Sequence, residues 1–392
     1  MPIFGRPWPA AVAQAVAAEA YTVSYLVLFA LLGTLARLAL QALTSYSGAP
    51  VGFVSVWPNF AGSFVFGLVA HDRVLPRRPG GLSATTAVGE PSSSSDNSVS
   101  GPESSALRQP GGIGAMTTTT TPAPGKTKKT PLYVGLTTGF CGSFTSFSSF
   151  IRDAFLALVN GLAPPGLSNS NNNGANGGQS FMAFLAVILI AVSLSLAGLF
   201  SGAHLAQAAL KPTAAFARVR SVLDRTVMVL AWSSWLVVAV VAATTTAPGL
   251  VSDAWLRGQV LLALAFAPLG CLARFYLSTA LNGRLSPSFP LGTFVANVAG
   301  TAMLAVAWDL AHARLGGVVG CLVLQGVEDG FCGCLTTVST WVAELAELAR
   351  RRTRDAYVYG ASSIAVALLL AIAIMGGLVW SHGGDLRPYC IY

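Results

Sequence analysis

The sequence predicts an all-α polytopic membrane protein: two inverted four-helix repeats joined by a linker transmembrane helix, about nine spans, with the third helix of each repeat broken. Three observations carry that prediction. Of 392 residues, 53% are hydrophobic and 10% are charged, against roughly 25% charged in soluble domains. Uncharged runs recur, each near the roughly 20 residues that cross a bilayer. Short motifs of the first half return in the same order in the second.

Taken in order, residues 1–20 form an N-terminal cytoplasmic segment. Its stretch "PAAVAQAVAAEA" is rich in small residues, carries Glu19 and runs straight into the first span, so no cleavable signal peptide is expected. The first repeat, 21–206, has predicted spans at 21–43, 51–70, 131–158 and 181–206. Between the second and third of these, residues 71–130 include "GEPSSSSDNSVSGPESS" and "TTTTTPAPGKTKK". Such a segment has almost nothing to bury and reads as a disordered cytoplasmic insert. The stretch "PPGLSNSNNNGANGGQS" (164–180) is a shorter flexible loop. A linker, 207–257, contains a span at 226–246. The second repeat, 258–380, has spans at 258–281, 289–310, 316–346 and 358–380, and 381–392 is a C-terminal tail.

Lysine and arginine set the orientation. Arg73, Arg77, Arg78, Arg108, Lys126, Lys128 and Lys129 follow the second span. Lys211, Arg218, Arg220 and Arg225 follow the fourth, Arg284 the sixth, and Arg350, Arg351, Arg352 and Arg354 the eighth. The opposite side receives Arg152, Arg257, Arg314 and Arg387. This bias puts the N-terminus in the cytoplasm and the C-terminus outside. The net charge of +8 sits in loops, with no basic face interleaved with aromatics, so nucleic acid is not an expected partner. Six cysteines form no CxxC pair; most lie in apolar segments, and neither a metal site nor a disulfide framework is expected.

The repetition is specific. "GTLAR" (33–37) returns as "GCLAR" (270–274), "NFAGS" (59–63) as "NVAGT" (297–301), and "GFCGSFTSFSSF" (139–150) as "GFCGCLTTVSTW" (330–341). One span between two four-span repeats makes the second enter the membrane from the opposite side. The repeats then form an antiparallel pair about a pseudo-two-fold axis in the membrane plane.

Two Gly- and hydroxyl-rich segments inside apolar spans point to broken helices, because irregular backbone at depth must be buried in protein or line a cavity. Gly139, Gly142, Gly330 and Gly333 permit the break, and hydroxyls satisfy the freed groups. Close packing of unbroken helices through small residues is the alternative; two copies at matched positions favour the break. Asn59 and Asn297 are amides in apolar spans, suited either to helix–helix hydrogen bonding or to facing an ion. Arg37 and Arg274 are intramembrane cations, costly enough to need a partner or a wet cavity. Glu328 and Asp329 are the carboxylates expected in span interiors, and Arg37 either pairs with one of them across the repeat interface or snorkels to the membrane surface. Four histidines fall near span ends, there is no Walker loop, and no nucleophile–base pairing appears, so no enzyme and no ATP-driven pump is expected.

Together the three duplicated motifs resemble the fluoride channel family, called Fluc or CrcB in bacteria and FEX in eukaryotes, over nearly all the membrane-embedded length apart from 71–130. The resemblance implies the eukaryotic fused form, in which two four-span units work as a single chain. It also implies a central structural Na+ held by the backbone carbonyls of Gly142, Thr145, Gly333 and Thr336, with no organic cofactor. The family's pore phenylalanines match Phe147 and Phe150, whose positive ring edges face a small anion. Ser148, Ser149, Ser339 and Thr340 would help replace the hydration shell, with Asn59 and Asn297. The second repeat places Val338 and Trp341 where phenylalanines are expected. Its last span lacks mid-membrane hydroxyls, whereas the fourth span keeps Ser193, Ser195 and Ser201. One competent and one degenerate pore follow. The function implied is passive, fluoride-selective efflux across the plasma membrane, with fluoride and the lipid bilayer as partners. A proton-coupled fluoride carrier using Glu328 and Asp329, and a non-transporting membrane scaffold, are the alternatives.

Overall fold

The computed structural model describes residues 10–46, 49, 51–70, 130–162, 176–209, 220–245, 260–284, 286–313 and 317–381. The predicted insert lies outside the described residues apart from Thr130, as does the tail beyond Ser381.

The described residues are mostly helical, apart from turns, short non-helical joints and one isolated bridge between Ser286 and Phe289. The first half runs α1 (Ala10–Thr44), α2 (Val56–Ala70), α3 (Pro131–Val134), a π-helical segment (Gly135–Cys141), α4 (Gly142–Phe144), α5 (Phe147–Leu158) and α6 (Gly177–Ala209). After α7 (Arg220–Thr245), the second half runs α8 (Leu262–Leu281), α9 (Leu291–His312), α10 (Gly317–Gly326), a second π-helical segment (Val327–Cys332), α11 (Gly333–Leu335), α12 (Ser339–Arg351) and α13 (Thr353–Ser381).

Local chemistry fixes several boundaries. Thr130 caps α3 by accepting the Tyr133 N–H at 3.2 Å, with Pro131 in the first turn. α6 begins before the predicted 181 because Asn176 and Gln179 bond each other's backbone N–H reciprocally, both at 3.0 Å. Among the described residues, six helices, α1, α6, α7, α8, α9 and α13, are long and apolar enough to cross a membrane. α2 is not: its 15 residues rise about 22 Å, short of a hydrocarbon core of about 30 Å. The predicted spans 131–158 and 316–346 each resolve into short helices in series.

Packing repeats between the halves. α2 lies along α6 and α13 along α9; α1 covers the first π-helical segment and α8 the second. The halves also interlock, α5 reaching α9 and α13 while α12 reaches α2 and α6. Close approach depends on glycine. A Cβ on Gly33 would come within 2.5 Å of the Phe140 carbonyl oxygen, and its counterpart Gly270 meets the carbonyl of Phe331 in the same way. α7 is held between α1 and α8: Trp232 Nε1 donates to Ser24 Oγ at 3.1 Å and Trp235 Nε1 to the Ala265 carbonyl at 2.9 Å. Its remaining face exposes Val229, Leu236, Val237 and Val240, a surface suited to lipid chains rather than water.

Cys141, Cys271, Cys332 and Cys334 are free and buried, as apolar packing residues should be. Cys321 of α10 departs from the sequence expectation: it is disulfide-bonded.

Candidate functional site

The two predicted breaks are present. The chain leaves helical geometry at Thr145 (φ −96°, ψ 149°) and Ser146 (φ −139°, ψ 119°), and again at Thr336 (φ −94°, ψ 158°). The glycines named for flexibility do another job. Gly142 and Gly333 have ordinary helical φ of −67° and −61°, and what they provide is room. The Arg274 guanidinium lies against Gly142 and that of Arg37 against Gly333, where any Cβ would overlap it.

Asn59 and Asn297 clamp the breaks. Asn59 Oδ1 accepts the Ser146 N–H at 2.9 Å while its Nδ2 donates to the Ser146 carbonyl at 3.4 Å. Asn297 repeats this on Thr337, at 2.8 and 3.2 Å. Of the two roles open to these amides, helix-to-backbone bonding is the one the geometry displays.

The threonines cross over. Thr145 Oγ1, in the first half, accepts the N–H groups of Val338 and Ser339 at 3.2 and 3.1 Å and so caps α12 of the second half. Thr336 Oγ1 accepts the Ser148 N–H at 3.1 Å and caps α5 of the first. Each hydroxyl also donates to the carbonyl four residues back, Cys141 or Cys332, at 3.0 Å. Ser148 Oγ lies 3.0 Å from Thr336 Oγ1, and Ser339 Oγ 3.1 Å from Thr145 Oγ1. Ser149 Oγ lies 2.9 Å from Ser146 Oγ. These hydroxyls form a closed network between the halves, buried from solvent.

This network also strips the helix ladder from four carbonyls. The amides of Ser146, Thr337, Ser149 and Thr340 would normally bond the carbonyls of Gly142, Gly333, Thr145 and Thr336. They are given instead to Asn59, Asn297, Ser146 Oγ and Thr337 Oγ1. Four oxygens released at one crossing are a donor set that suits a hard cation.

The aromatic residues gather beside the network. Phe147 packs edge-on against Phe150 (centroids 5.7 Å) and against Trp341 of the second half (5.3 Å), all three buried. The Trp341 indole N–H has no partner. Ser193 does not join them: it is exposed on α6, whereas Ser195 two residues on is buried with an unpartnered hydroxyl. A half-turn on a helix separates the two, and only the second faces protein.

A cavity of about 570 Å³ is lined by Thr337 and Thr340 at the second break, Thr137 and Thr138 of the first π-helical segment, Arg274 and Glu344. It extends to Gly283 and Arg351, the end that the charge bias assigns to the cytoplasm. Arg274 bridges the halves, donating from Nε to the Cys334 carbonyl and from Nη2 to that of Thr138, both at 2.8 Å. Arg37 donates from Nη2 to the backbone carbonyl of Asp329, while its Nε and Nη1 have no partner. The Arg37–carboxylate pair therefore does not form, because the guanidinium is drawn to a carbonyl of the π-helical turn and Glu328 is taken by Arg152 at 3.5 Å.

Sequence reasoning missed two carboxylates. Glu344 accepts hydrogen bonds from Thr293 Oγ1 and the Tyr359 hydroxyl, both at 2.7 Å. Asp153, one helix break away in the other half, is buried and accepts the Ser55 N–H at 3.0 Å. Carboxylates thus occur in these spans beyond Glu328 and Asp329. The signal was present in the repeats: placing Asn59 on Asn297 puts Ser55 on Thr293, and placing the third motifs together puts Asp153 on Glu344.

Comparison with known proteins places the chain in a family. The family model described as CrcB-like protein, Camphor Resistance (CrcB), matches residues 24–203 and 261–377. The chain is 50% identical over 386 residues to fluoride export protein 1 of Neurospora crassa, covering 95% of this chain and 69% of that protein. It is 35% identical over 365 residues to fluoride export protein 1 of Candida albicans, covering 91% and 79%. A bacterial protein, fluoride-specific ion channel FluC 4 of Brucella abortus, is 32% identical over 114 residues, 29% of this chain and 85% of its own length. No solved structure matches. With both halves matched by one family model and two relatives aligned over 95% and 91% of this chain, the chain belongs to the CrcB family.

Proposed function

We propose that this chain is a fluoride-selective export channel that lets the anion leave a eukaryotic cell passively and so confers fluoride resistance. One observation carries the reading. In a member of the family whose relatives are named fluoride exporters, a cavity lined by threonines and an arginine reaches the helix break deep in an apolar bundle. Hydroxyls and a cation there can replace part of an anion's hydration shell. Beyond Thr340, the edges of Phe147, Phe150 and Trp341 carry positive partial charge suited to a small hard anion. A negative-inside potential supplies about 2.3 kcal/mol per charge per 100 mV, so outward movement needs no coupled driver.

The chain works in this reading as one fused unit of nine spans, with its halves inverted about an axis in the membrane plane. The crossed caps of Thr145 and Thr336, and the crossed placement of Arg37 on Gly333 and Arg274 on Gly142, support that symmetry. The N-terminus is cytoplasmic, the C-terminus extracellular and the membrane the plasma membrane. A disulfide at Cys321, in the half of α10 that faces outward in this orientation, supports it, since disulfides persist on oxidising surfaces. The carbonyls of Gly142, Thr145, Gly333 and Thr336 would hold a structural Na+, which pins the crossing and supplies fixed positive charge beside the pathway.

The test is anion efflux from proteoliposomes under an imposed voltage without a pH gradient. Rapid fluoride loss with negligible chloride loss is the expected result. Absence of fluoride loss from folded protein would overturn the reading, and flux appearing only with a pH gradient would replace it with a proton-coupled carrier.

A further inference from the structure

The repeats correspond residue by residue around the cavity, and the correspondence exposes a difference. Arg274 lines the cavity and bonds the carbonyl of Thr138; its counterpart Arg37 bonds the carbonyl of Asp329, the counterpart of Thr138. Two matching pockets of backbone therefore exist. In the first, the walls are Thr137, Thr138 and Ala343, all of which line open space. Setting the third motifs in register puts Glu328, Asp329 and Arg152 at those three positions. There Arg152 Nη1 meets Glu328 Oε2 at 3.5 Å, with side chains 16% and 8% exposed. Beside them Asp153 turns onto the Ser55 N–H, where its counterpart Glu344 instead holds Thr293 at the cavity wall. A long cation has replaced an alanine methyl, and its charge is met by an acid that replaced a threonine.

We propose that the Arg152–Glu328 ion pair is a built-in plug that closes the second of two equivalent anion routes at its outer mouth, leaving a single conducting path. The inference rests on the channel reading above and gives it a residue-level cause for single-path conduction. The pair joins α5 of the first half to the π-helical segment of the second, so it closes the route only when both halves are assembled. A route that opened on both sides of so symmetric a crossing would double the leak for any anion or water; an opposite-charge pair fills the space while adding little net charge.

The experiment uses the full chain in proteoliposomes and reads access and flux separately. Ser55→Cys places a thiol behind the pair, at a residue that is buried with an unpartnered hydroxyl. A small neutral thiol reagent added from outside is expected to modify Ser55→Cys at least tenfold faster when Arg152→Ala and Glu328→Thr are also present; the parent chain, in which Cys141, Cys271, Cys332 and Cys334 are free and buried, gives the background. Fluoride efflux of the Arg152→Ala/Glu328→Thr chain, with Ser55 intact, is expected to stay at or above that of the parent. An unchanged labelling rate in protein that still conducts overturns the plug, and so does loss of efflux in folded protein, which would place the pair in the conducting route. The reverse transplant, Thr137→Glu with Ala343→Arg, should lower fluoride efflux more than tenfold; parental efflux in that chain overturns the proposal independently. If the parent itself carries no fluoride, the functional reading fails, while the labelling arm still decides whether the pair excludes solvent.

Discussion

The crossed threonine caps make a quantitative prediction at Thr145. In Thr145→Val the shape is kept and the hydroxyl removed. One hydroxyl has one proton and two lone pairs, so the bonds it sustains at once are the donation to Cys141 and acceptance from the N–H groups of Val338 and Ser339. Both amides are then buried without that acceptor, at about 1–3 kcal/mol each, and the nearby hydroxyls of Thr337 and Ser339 recover part of the loss. The expected destabilisation is about 2–5 kcal/mol. Thr336→Val strands one such amide, that of Ser148, and should cost about 1–3 kcal/mol. Thr145→Ser retains the hydroxyl and loses only the methyl that packs against Gly62, so it should restore stability to within about 1.5 kcal/mol. The assay is equilibrium unfolding in mixed micelles followed by tryptophan fluorescence, with Trp341 beside the crossing as reporter. A change below about 0.5 kcal/mol in Thr145→Val, or a serine variant as damaged as the valine, would refute the cap as the joint between the halves.

Three further outcomes follow from the same geometry. Arg274→Lys loses the fork that spans two carbonyls at 2.8 Å and should cost about 1.5–3 kcal/mol, whereas Arg37→Lys, which begins with one bonded nitrogen, should cost less; thermal midpoints of the two variants check the order. Gly33→Ala and Gly270→Ala push a methyl into the carbonyls of Phe140 and Phe331, and each should destabilise by about 1–3 kcal/mol, with unchanged unfolding midpoints counting against the close approach. Trp341→Phe removes a buried N–H that has no protein partner; stability should hold or rise, while fluoride efflux falls if that donor faces the anion, a split read by unfolding and efflux on one preparation.

How much of this was legible beforehand differs from residue to residue. The positions of the breaks could be read because Gly, Ser and Thr interrupt an apolar run where hydrocarbon tolerates no unpaired backbone. The role of the glycines could not, since Gly142 and Gly333 look the same in sequence whether they bend a chain or admit a guanidinium. Ser193 and Ser195 differ only by which side of α6 meets protein, and that is set by packing against α2 and α5. The partner of Arg37 is a carbonyl and not an acid, which the sequence does not reveal because it displays carboxylates but not the carbonyls that a π-helical turn presents.

By itself the sequence determined the class of protein, the duplication of its motifs and the sites of the two breaks. These follow from composition, span length and self-similarity, which are local or additive properties of the chain. Only the tertiary structure decided that Thr145 caps α12 and Thr336 caps α5, that Asn59 and Asn297 each divert one amide from the ladder, and that Arg152 meets Glu328 where its counterpart Ala343 lines open space. The threonine caps join residues about 190 positions apart, and no local propensity reports on a partner so distant; they exist because two repeats bury the same irregular segment against each other, where each supplies the hydrogen bonds the other lacks.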